Sequence, residues 1–356
     1  MRISIIGLKF AGKTTFFDLL TARGMAGSAS GKKGATISTV FVPDPRLDRL
    51  NEVYQPKKKV AANLEFIDTA ALSTEGHGKS FTGATLEEVK RGDALCLVVR
   101  EFESAAAPHP ENRVDGVKDL QFILGEFVMT DYLLVSKRVE RLEKQVSMSK
   151  KLEEQHELDA LRKVLVVLEQ EKPARDAGLT AQELKAISSC QLLTLKPLLV
   201  VVNLGEDKIP QMDARIAAYA QRFPQHTITA MCAPIEQDLA GMSAADAAEF
   251  MKDLGLKDPA FDRVIRGCFA MLDFKVFFTV GEDECRSWPV PRSATAFDCA
   301  GAIHTDLQRG FIRAVVLPYA DFAAAPTPDT FKHKARQEKR EYAVQDGDLI
   351  EIRFNV

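Results

Sequence analysis

The 356-residue sequence predicts an α/β fold built on a parallel sheet, with a helical insertion and a small C-terminal β domain. The sheet is indicated by short apolar runs rich in β-branched residues, which alternate with helical patterns and lie at 2–6, 64–67, 94–99 and 198–202. Such runs are typical of parallel strands buried on both faces. The other two modules are indicated by changes of pattern at residues 128 and 272.

A long helical pattern separates the two halves of the predicted sheet. Its apolar residues recur at spacings of four and three: Val128, Tyr132, Val135, Val139, Leu142 and Val146, then Leu158, Leu161, Leu165 and Leu168. This spacing predicts two antiparallel helices, as an αα-hairpin or short coiled coil, or as a helix pair that simply packs on the main domain. We therefore divide the chain into an α/β domain (1–127 and 190–271), a helical insertion (128–189) and a C-terminal domain (272–356).

Composition argues against several classes of protein. The formal net charge is -3, so any contact with nucleic acid has to be local. The six cysteines are scattered singly, which argues against a zinc site or a disulfide framework. No run reaches the ~18 apolar residues of a membrane span, and the first residues lack a signal-peptide pattern. We expect a cytoplasmic monomer without membrane contact.

The first loop has the spacing of a phosphate-binding loop. Residues 7–14 are GLKFAGKT and fit G-x-x-x-x-G-K-[ST], between a predicted strand and a predicted helix. A loop of this length wraps N–H groups around phosphate, while Lys13 reaches the β- and γ-phosphates and Thr14 offers a hydroxyl to Mg²⁺. The alternative is a glycine-rich turn without a ligand. The predicted nucleotide contacts here are Gly7, Lys9, Phe10, Ala11, Gly12, Lys13, Thr14 and Thr15.

Two later residues fit the metal that accompanies a nucleoside triphosphate. Asp68 ends the strand LEFID and suits the carboxylate that holds Mg²⁺ through water. Thr36 lies in the loop before that strand, where it is either an ordinary loop threonine or a second hydroxyl for the metal. The predicted metal ligands are Thr14, Thr36 and Asp68.

Together with these motifs, several longer segments resemble the YchF, or Obg-like ATPase, family of P-loop proteins. DTAALSTEGHGKSF resembles its third nucleotide motif with a few residues deleted, and LLTLKPLLVVVNLGED resembles its base-recognition strand and loop. IHTDLQRGFIRAVV and VQDGDLIEIRFNV resemble its C-terminal TGS domain, a ubiquitin-like β-grasp module. The resemblance implies a P-loop NTPase G-domain, a coiled-coil insertion and a TGS domain.

The choice of base is predicted by Asn203, Leu204 and Glu206. Ordinary GTPases carry N-K-x-D, whose aspartate accepts two hydrogen bonds from guanine, whereas this chain has the longer Glu206 and leaves the guanine donors poorly paired. The resembling family shows N-x-x-E here and favours ATP, so we predict ATP over GTP. The alternatives are a GTP-specific GTPase and a surface glutamate with loose selectivity. The segment TAMCA resembles the last nucleotide motif, with base contacts expected at Met231, Cys232 and Ala233.

The residues expected to assist hydrolysis depart from the common pattern. Leu72 stands where many GTPases have glutamine, and leucine cannot orient water by hydrogen bonding. The resemblance implies that a loop histidine helps instead, and His109 occupies the matching position, where it also fits an ordinary exposed histidine. Ala71 replaces a glycine, so a positive φ there would be strained. The catalytic candidates are Lys13 and His109.

Two side chains of the phosphate loop also depart from the family. Phe10 replaces an asparagine that coordinates the cation in potassium-activated relatives, so we predict no stimulation by potassium. Lys9 replaces a proline near the γ-phosphate position. Its ammonium is either an extra positive charge for the phosphates or a solvated lysine.

A basic stripe in the C-terminal domain predicts contact with RNA. It comprises Lys332, Lys334, Arg336, Lys339 and Arg340. Clustered charge is enough to contact phosphates, although such a run is also typical of a solvated face. Trp288 and Phe297 are interpreted as core or rim aromatics rather than base-stacking platforms.

Three functions are consistent with these patterns. The first is a ribosome- or translation-associated switch that slowly hydrolyses ATP with Mg²⁺, binds GTP more weakly, and contacts ribosome or RNA through the TGS domain and helical hairpin. The second is a nucleotide-binding module without useful hydrolysis, which Ala71 and Leu72 favour. The third is an RNA-binding adaptor whose nucleotide is structural.

Overall fold

The computed structural model describes residues 1–24, 37–72, 81, 83–149 and 152–355. The chain forms two compact units: Met1–Ser38 with Glu65–Val264, and Thr39–Leu64 with Ile265–Val356. Among the described residues, no helix is both long and apolar enough to cross a membrane.

The elements are numbered in chain order. The strands are β1 Arg2–Ile6, β2 Ile37–Phe41, β3 Lys58–Val60, β4 Asn63–Asp68, β5 Ala94–Glu101, β6 Leu198–Leu204, β7 Thr227–Met231, β8 Phe274–Thr279, β9 Glu284–Pro291, β10 Phe311–Leu317, β11 Arg336–Glu338 and β12 Leu349–Phe354. The α-helices are α1 Lys13–Gly24, α2 Pro45–Tyr54, α3 Gly83–Lys90, α4 Gly116–Ser149, α5 Leu152–Leu168, α6 Ala181–Ala186, α7 Met212–Arg222, α8 Ala233–Gly241, α9 Ala244–Asp253, α10 Ala260–Met271, α11 Ala296–Ile303, α12 Thr305–Arg309, α13 Tyr319–Ala324 and α14 Pro328–Lys334. Short 3₁₀ turns lie at Ala174–Ala177, Ser188–Cys190, Leu193–Leu195 and Glu206–Gln211.

The predicted parallel sheet is present. Its strand order is β2-β4-β1-β5-β6-β7, and the neighbours from β4 to β7 run parallel. β5 and β6 are buried along their whole length, as expected of central strands with both faces covered. The carboxyl ends of β1, β4, β5 and β6 therefore meet at one edge of the sheet, where ligands of open α/β folds bind.

The helical insertion is longer than its pattern predicted. Its two long helices are α4 and α5, but α4 begins at Gly116 rather than at residue 128. The first turns of α4 carry Leu120, Ile123 and Phe127, which are buried in the core of the α/β sheet. The helix therefore starts inside the main domain and continues into the insertion, whose own apolar core joins α4 to α5.

The second unit contains a segment that local sequence patterns assigned to the first domain. Its sheet has the order β11-β10-β12-β8-β9-β3, in which β3 pairs in parallel with β9. Leu47 and Leu50 of α2 lie in one apolar cluster with Phe278 and Leu349. The boundary proposed at 272 thus differs from the observed division, which begins at Ile265 and adds residues 39–64. The segments 39–64 and 265–356 are far apart in the sequence, so no local periodicity could indicate that they pack together.

Candidate nucleotide-binding site

The loop between β1 and α1 has the shape that a phosphate-binding motif requires. Gly12 has a φ of 89°, and a Cβ atom there would lie 2.3 Å from Asn203 Nδ2. At Gly7 a Cβ atom would lie 2.7 Å from the carbonyl oxygen of Val98. Both glycines are therefore required by close approaches of neighbouring strand ends. Phe10 also has a positive φ, 64°, and its side chain is exposed.

The ammonium of Lys13 is held at the end of β4. Its Nζ lies 2.5 Å from Asp68 Oδ1 and also donates to the carbonyl oxygen of Thr69. Lys13 is only 8 % exposed, so this ion pair is largely shielded from water. The structure therefore brings together the two residues that the sequence assigned separately to phosphate and to metal.

The oxygen groups around the loop fit Mg²⁺. Thr14 is exposed at the start of α1, and the partly exposed carboxylate of Asp68 lies at the adjoining strand end. Hydroxyl and carboxylate oxygens are hard ligands, and Mg²⁺ commonly takes one or two of them together with phosphates and waters. Thr36, the third predicted ligand, lies outside the described residues. Within the described part of the chain, no cluster of three or more His, Cys, Asp or Glu side chains is suited to a metal ion.

A cavity of about 530 Å³ adjoins the loop on the side of the predicted base site. Asn203 connects the phosphate loop to the start of α8. Its Nδ2 donates to the carbonyl of Ala11 at 3.1 Å, and its Oδ1 accepts from the N–H of Ala233 at 3.4 Å. The cavity is lined by predicted contact residues from both ends of the site: Gly12, Thr15, Asn203, Leu204, Glu206 and Ala233.

The predicted base-contact residues differ in their exposure. Glu206 is exposed beside the cavity, whereas Leu204 is buried in the core. Met231 and Cys232 are also buried, so any contribution they make to the base comes from the backbone. Ala233 begins α8, where its N–H already hydrogen-bonds to Asn203. The exposed Glu206 is thus supported by buried apolar residues.

The phosphate loop carries a second lysine close to its exposed aromatic ring. Lys9 Nζ lies 4.9 Å from the ring centroid of Phe10. A cation at this distance over a phenyl ring is attracted by the negative face of the ring. The ammonium of Lys9 is therefore oriented by Phe10, in contrast to that of Lys13, which is held by Asp68.

Sequence reasoning missed Arg100, which holds the phosphate loop from the end of β5. Arg100 is 2 % exposed, and its Nη1 donates to the carbonyl oxygens of Phe10 at 3.3 Å and Ala107 at 2.6 Å. Its guanidinium also stacks over the ring of Phe102, 4.4 Å from the centroid. Burial lowers the pKa of Arg100. The available signal was the charged pair Arg100-Glu101, which directly follows the apolar run at 94–99.

His109 lies in a closed cluster rather than on an exposed loop. Its Nε2 is 2.8 Å from Asp119 Oδ2, and its Nδ1 accepts from the N–H of Glu111 at 3.1 Å. Nδ1 therefore carries no proton, and Nε2–H donates to Asp119. Arg113 adds an ion pair to Asp119 at 3.2 Å, although burial is the largest influence on Asp119 and raises its pKa. The side chain of His109 is only 3 % exposed, and both its ring nitrogens are engaged.

Leu72 supports the phosphate loop through its backbone. Its N–H donates to the carbonyl of Gly7 at 2.9 Å, and it forms a parallel bridge with Leu8. The side chain is buried in the sheet core, which agrees with the expectation that it orients no water. Ala71 does not adopt a positive φ in this structure. The shortened segment after Leu72 lies at 73–80, outside the described residues.

Known proteins match this chain along its whole length. The ribosome-binding ATPase YchF of Haemophilus influenzae is 36% identical over 369 residues, covering 100% of this chain and 99% of that protein. The Bacillus subtilis protein of the same name is 35% identical, with 99% and 98% covered. The chain belongs to the YchF family. The family resemblance seen in the motifs is thereby confirmed, and it includes the helical insertion and the second unit.

Three further matches agree with membership of the YchF family. The structure of the Schizosaccharomyces pombe YchF GTPase superposes with a TM-score of 0.85 at 30% identity, covering 99% of this chain and 97% of that one. The family described as YchF-GTPase_C, a protein of unknown function (DUF933), matches residues 274–355. Obg-like ATPase 1 of Oryza sativa is 34% identical, with 100% of this chain and 92% of that protein covered. The predicted P-loop NTPase fold with a helical insertion is therefore confirmed.

Proposed function

We propose that this YchF-family protein is a ribosome-associated switch that binds ATP with Mg²⁺ at the β1–α1 loop and slowly hydrolyses it. The proposal rests on the convergence of Asp68 from β4 and Asn203 from β6 on the glycine-bounded loop that ends at Lys13, the first residue of α1. The names of its relatives, ribosome-binding ATPase and Obg-like ATPase, support the choice of nucleotide and of partner.

ATP is preferred to GTP because Glu206 stands at the position where ordinary GTPases carry the aspartate that binds guanine. Glu206 is exposed, as is Asp207 beside it, and Leu204 is buried where ordinary GTPases present a lysine. A guanine whose donors are poorly paired in a desolvated site loses about 1–3 kcal/mol. Binding of GTP is therefore weaker than binding of ATP.

Binding of the triphosphate requires Lys13 to exchange partners. Its ammonium leaves Asp68 and Thr69 for the β- and γ-phosphates, and the N–H groups of the loop and of α1 contact the same anion. Thr14, Asp68 and Thr36 would hold Mg²⁺, which would supply positive charge to the phosphates when bound. The Asp68 carboxylate that Lys13 releases would be available as a ligand for the metal.

Hydrolysis requires a group that orients water, and Leu72 provides none. His109 is the catalytic candidate, and it acts after its ring leaves Asp119 and turns toward the nucleotide. The loop 102–110 is connected to the phosphate loop through Arg100, which donates to the carbonyls of both Phe10 and Ala107. Occupation of the phosphate loop is thereby transmitted to the histidine loop.

A second candidate function is nucleotide binding without useful hydrolysis. The contacts of His109 with Asp119 and Glu111 favour it, because they engage both ring nitrogens. Single-turnover hydrolysis with Mg²⁺ separates the two candidates. Production of ADP that is lost in His109→Ala supports the ATPase, whereas the same slow rate in both proteins supports the binding module.

The partner-facing elements proposed are the helical hairpin and the second unit, whose C-terminal part acts as a TGS domain. Several members of the basic stripe have acids beside them: Lys332 lies 3.3 Å from Asp329, and Arg336 lies 2.8 Å from Glu338. These surface pairs are weak, so RNA phosphates can compete for the same cations. Association with ribosomes implies a cytoplasmic protein, and we propose that it acts as a monomer.

Calorimetric titration tests nucleotide binding directly. Nucleotide-free protein is titrated with ATP, ADP, GTP and GDP in Mg²⁺, and we expect the adenine nucleotides to bind more tightly. Lys13→Ala is expected to weaken all four by about 10- to 100-fold, because a charge-assisted contact to phosphate is removed. Lys252→Ala, which removes an exposed lysine of α9, is the matched control. Tighter binding of GTP would overturn the choice of base, and no binding of any nucleotide would overturn the function.

Ribosome association is tested separately by co-sedimentation at increasing salt. The charge reversals Lys332→Glu, Lys334→Glu and Arg336→Glu are expected to release the protein at lower salt than the parent chain. An identical salt profile for parent and variants would exclude the basic stripe from the contact.

A further inference from the structure

Glu101, the last residue of β5, is a buried acid that holds the base loop. Its side chain is 8 % exposed, and Oε1 accepts from the hydroxyl of Tyr219 at 2.7 Å. Oε2 lies 3.2 Å from Lys208 Nζ and 3.4 Å from Arg215 Nη1. A carboxylate buried among two cations and a phenol is stable only with these partners in place.

The main chain of Glu101 contacts the same loop. Its carbonyl oxygen accepts from Lys208 Nζ at 2.7 Å and from the N–H of Gly205 at 3.4 Å. Gly205 and Lys208 flank Glu206, the exposed acid beside the cavity. One residue therefore holds both sides of the segment that is expected to meet the base.

The preceding residue holds the other half of the site. Arg100 donates to Phe10 in the phosphate loop, whereas Glu101 contacts the base loop and α7. The side chain and the carbonyl of Glu101 contact Gly205, Lys208, Arg215 and Tyr219, none of which lies in the segment 7–15. The carboxyl end of β5 thus supports the two halves of the nucleotide site through two separate residues.

We propose that Glu101 is a positioning residue for base selection, which holds Gly205 and Lys208 so that Glu206 is presented to the purine. The inference rests on the proposed nucleotide function. It identifies Glu101 as the residue that keeps the base loop rigid. Because loss of Glu101 loosens the base loop without touching the phosphate loop, the effect depends on whether the ligand has a base.

The test compares ligands with and without a base. Parent protein, Glu101→Gln and Tyr219→Phe are titrated in Mg²⁺ with ADP, GDP and inorganic tripolyphosphate. Glu101→Gln keeps the shape of the side chain but loses the charge that holds Lys208 and Arg215. We expect ADP affinity to fall ~10-fold, as for loss of a charge-assisted contact, and the ratio of ADP to GDP affinity to approach one. Tripolyphosphate affinity is expected to stay within about twofold.

The control variant is Asp213→Asn, which removes an acid of the same helix, α7. Its side chain is 88 % exposed and is paired only loosely with Lys257, at 3.9 Å. We expect unchanged affinity for all three ligands. Thermal unfolding of each variant shows whether it is folded, and Tyr219→Phe, which keeps every charge and removes one hydrogen bond, decides the question if Glu101→Gln does not fold. For Tyr219→Phe we expect a smaller loss of ADP affinity than for Glu101→Gln, again without loss of tripolyphosphate affinity.

Three outcomes overturn the proposal. Equal loss of ADP and tripolyphosphate affinity, or no loss of ADP affinity in folded variants, shows that Glu101 does not position the base loop. If the parent protein binds tripolyphosphate but neither ADP nor GDP, the proposed nucleotide function fails first, and the role of Glu101 fails with it.

Discussion

Lys13 Nζ lies 2.5 Å from Asp68 Oδ1, so the ammonium expected to bind phosphate and the carboxylate expected to hold Mg²⁺ form an ion pair. Both are largely buried, and removal of either partner leaves the other charge uncompensated. If the phosphates of a nucleotide bind the ammonium of Lys13 and no metal ion binds with them, Asp68 is left without an oppositely charged partner. Nucleotide and metal are expected to bind together for this reason.

Asp68→Asn is expected to uncouple nucleotide binding from Mg²⁺. In the parent protein, ADP is expected to bind ~10-fold more tightly in Mg²⁺ than in EDTA, a coupling of ordinary size. In Asp68→Asn the neutral amide forms no ion pair with Lys13 and attracts no metal. The affinity for ADP is therefore expected to be similar in Mg²⁺ and in EDTA. Calorimetry in the two buffers measures this. Asp253→Asn, on the exposed face of α9, serves as control, and undiminished coupling in Asp68→Asn would contradict the assignment.

Asp119→Asn is expected to raise the hydrolysis rate several-fold at saturating ATP. The amide keeps the shape of the carboxylate but forms a weaker bond with His109 Nε2–H, so the histidine leaves its cluster more readily. The double variant with His109→Ala is expected to lose the gain. Glu111→Gln retains the N–H that contacts His109 and changes only an exposed side chain, so it serves as control. If the hydrolysis rate remains raised in the double variant, His109 is not the group that Asp119→Asn releases.

Potassium is expected to give no stimulation of hydrolysis over sodium. The side chain at the relevant position is Phe10, which is exposed and has a φ of 64°. A phenyl ring presents no oxygen to replace the hydration shell of a cation. Rates are compared in KCl and NaCl at equal ionic strength. A several-fold increase in KCl would show that another group coordinates the ion.

Leu50→Ala is expected to lower the free energy of unfolding of the second unit by about 3 kcal/mol, as for other buried leucines. Leu50 is fully buried in the cluster that contains Phe278 and Leu349. The chain has a single tryptophan, Trp288 in β9, so its fluorescence during denaturation reports on this unit. Leu184→Ala, at an exposed leucine of α6, is the control. An unchanged midpoint in Leu50→Ala would show that α2 is not part of this core.

Motif spacing predicts a phosphate site because such a loop is local in the sequence. The eight residues GLKFAGKT follow each other in the chain, so the loop carries its glycines and its lysine in its own residues. Conversely, the sequence could not show that His109 is enclosed by Asp119 or that Arg100 donates to Phe10. These contacts depend on where α4 and the end of β5 lie after folding.

The amino-acid sequence by itself determined the strand pattern, the phosphate loop, the helical insertion and the family, because each is encoded by neighbouring residues with a fixed spacing. Tertiary structure alone decided that residues 39–64 belong with 265–356, that Lys13 pairs with Asp68, and that Arg100 and Glu101 support the two halves of the site. The reason is physical: these contacts join residues tens to hundreds of positions apart, and only the packing of the sheets determines which of them meet.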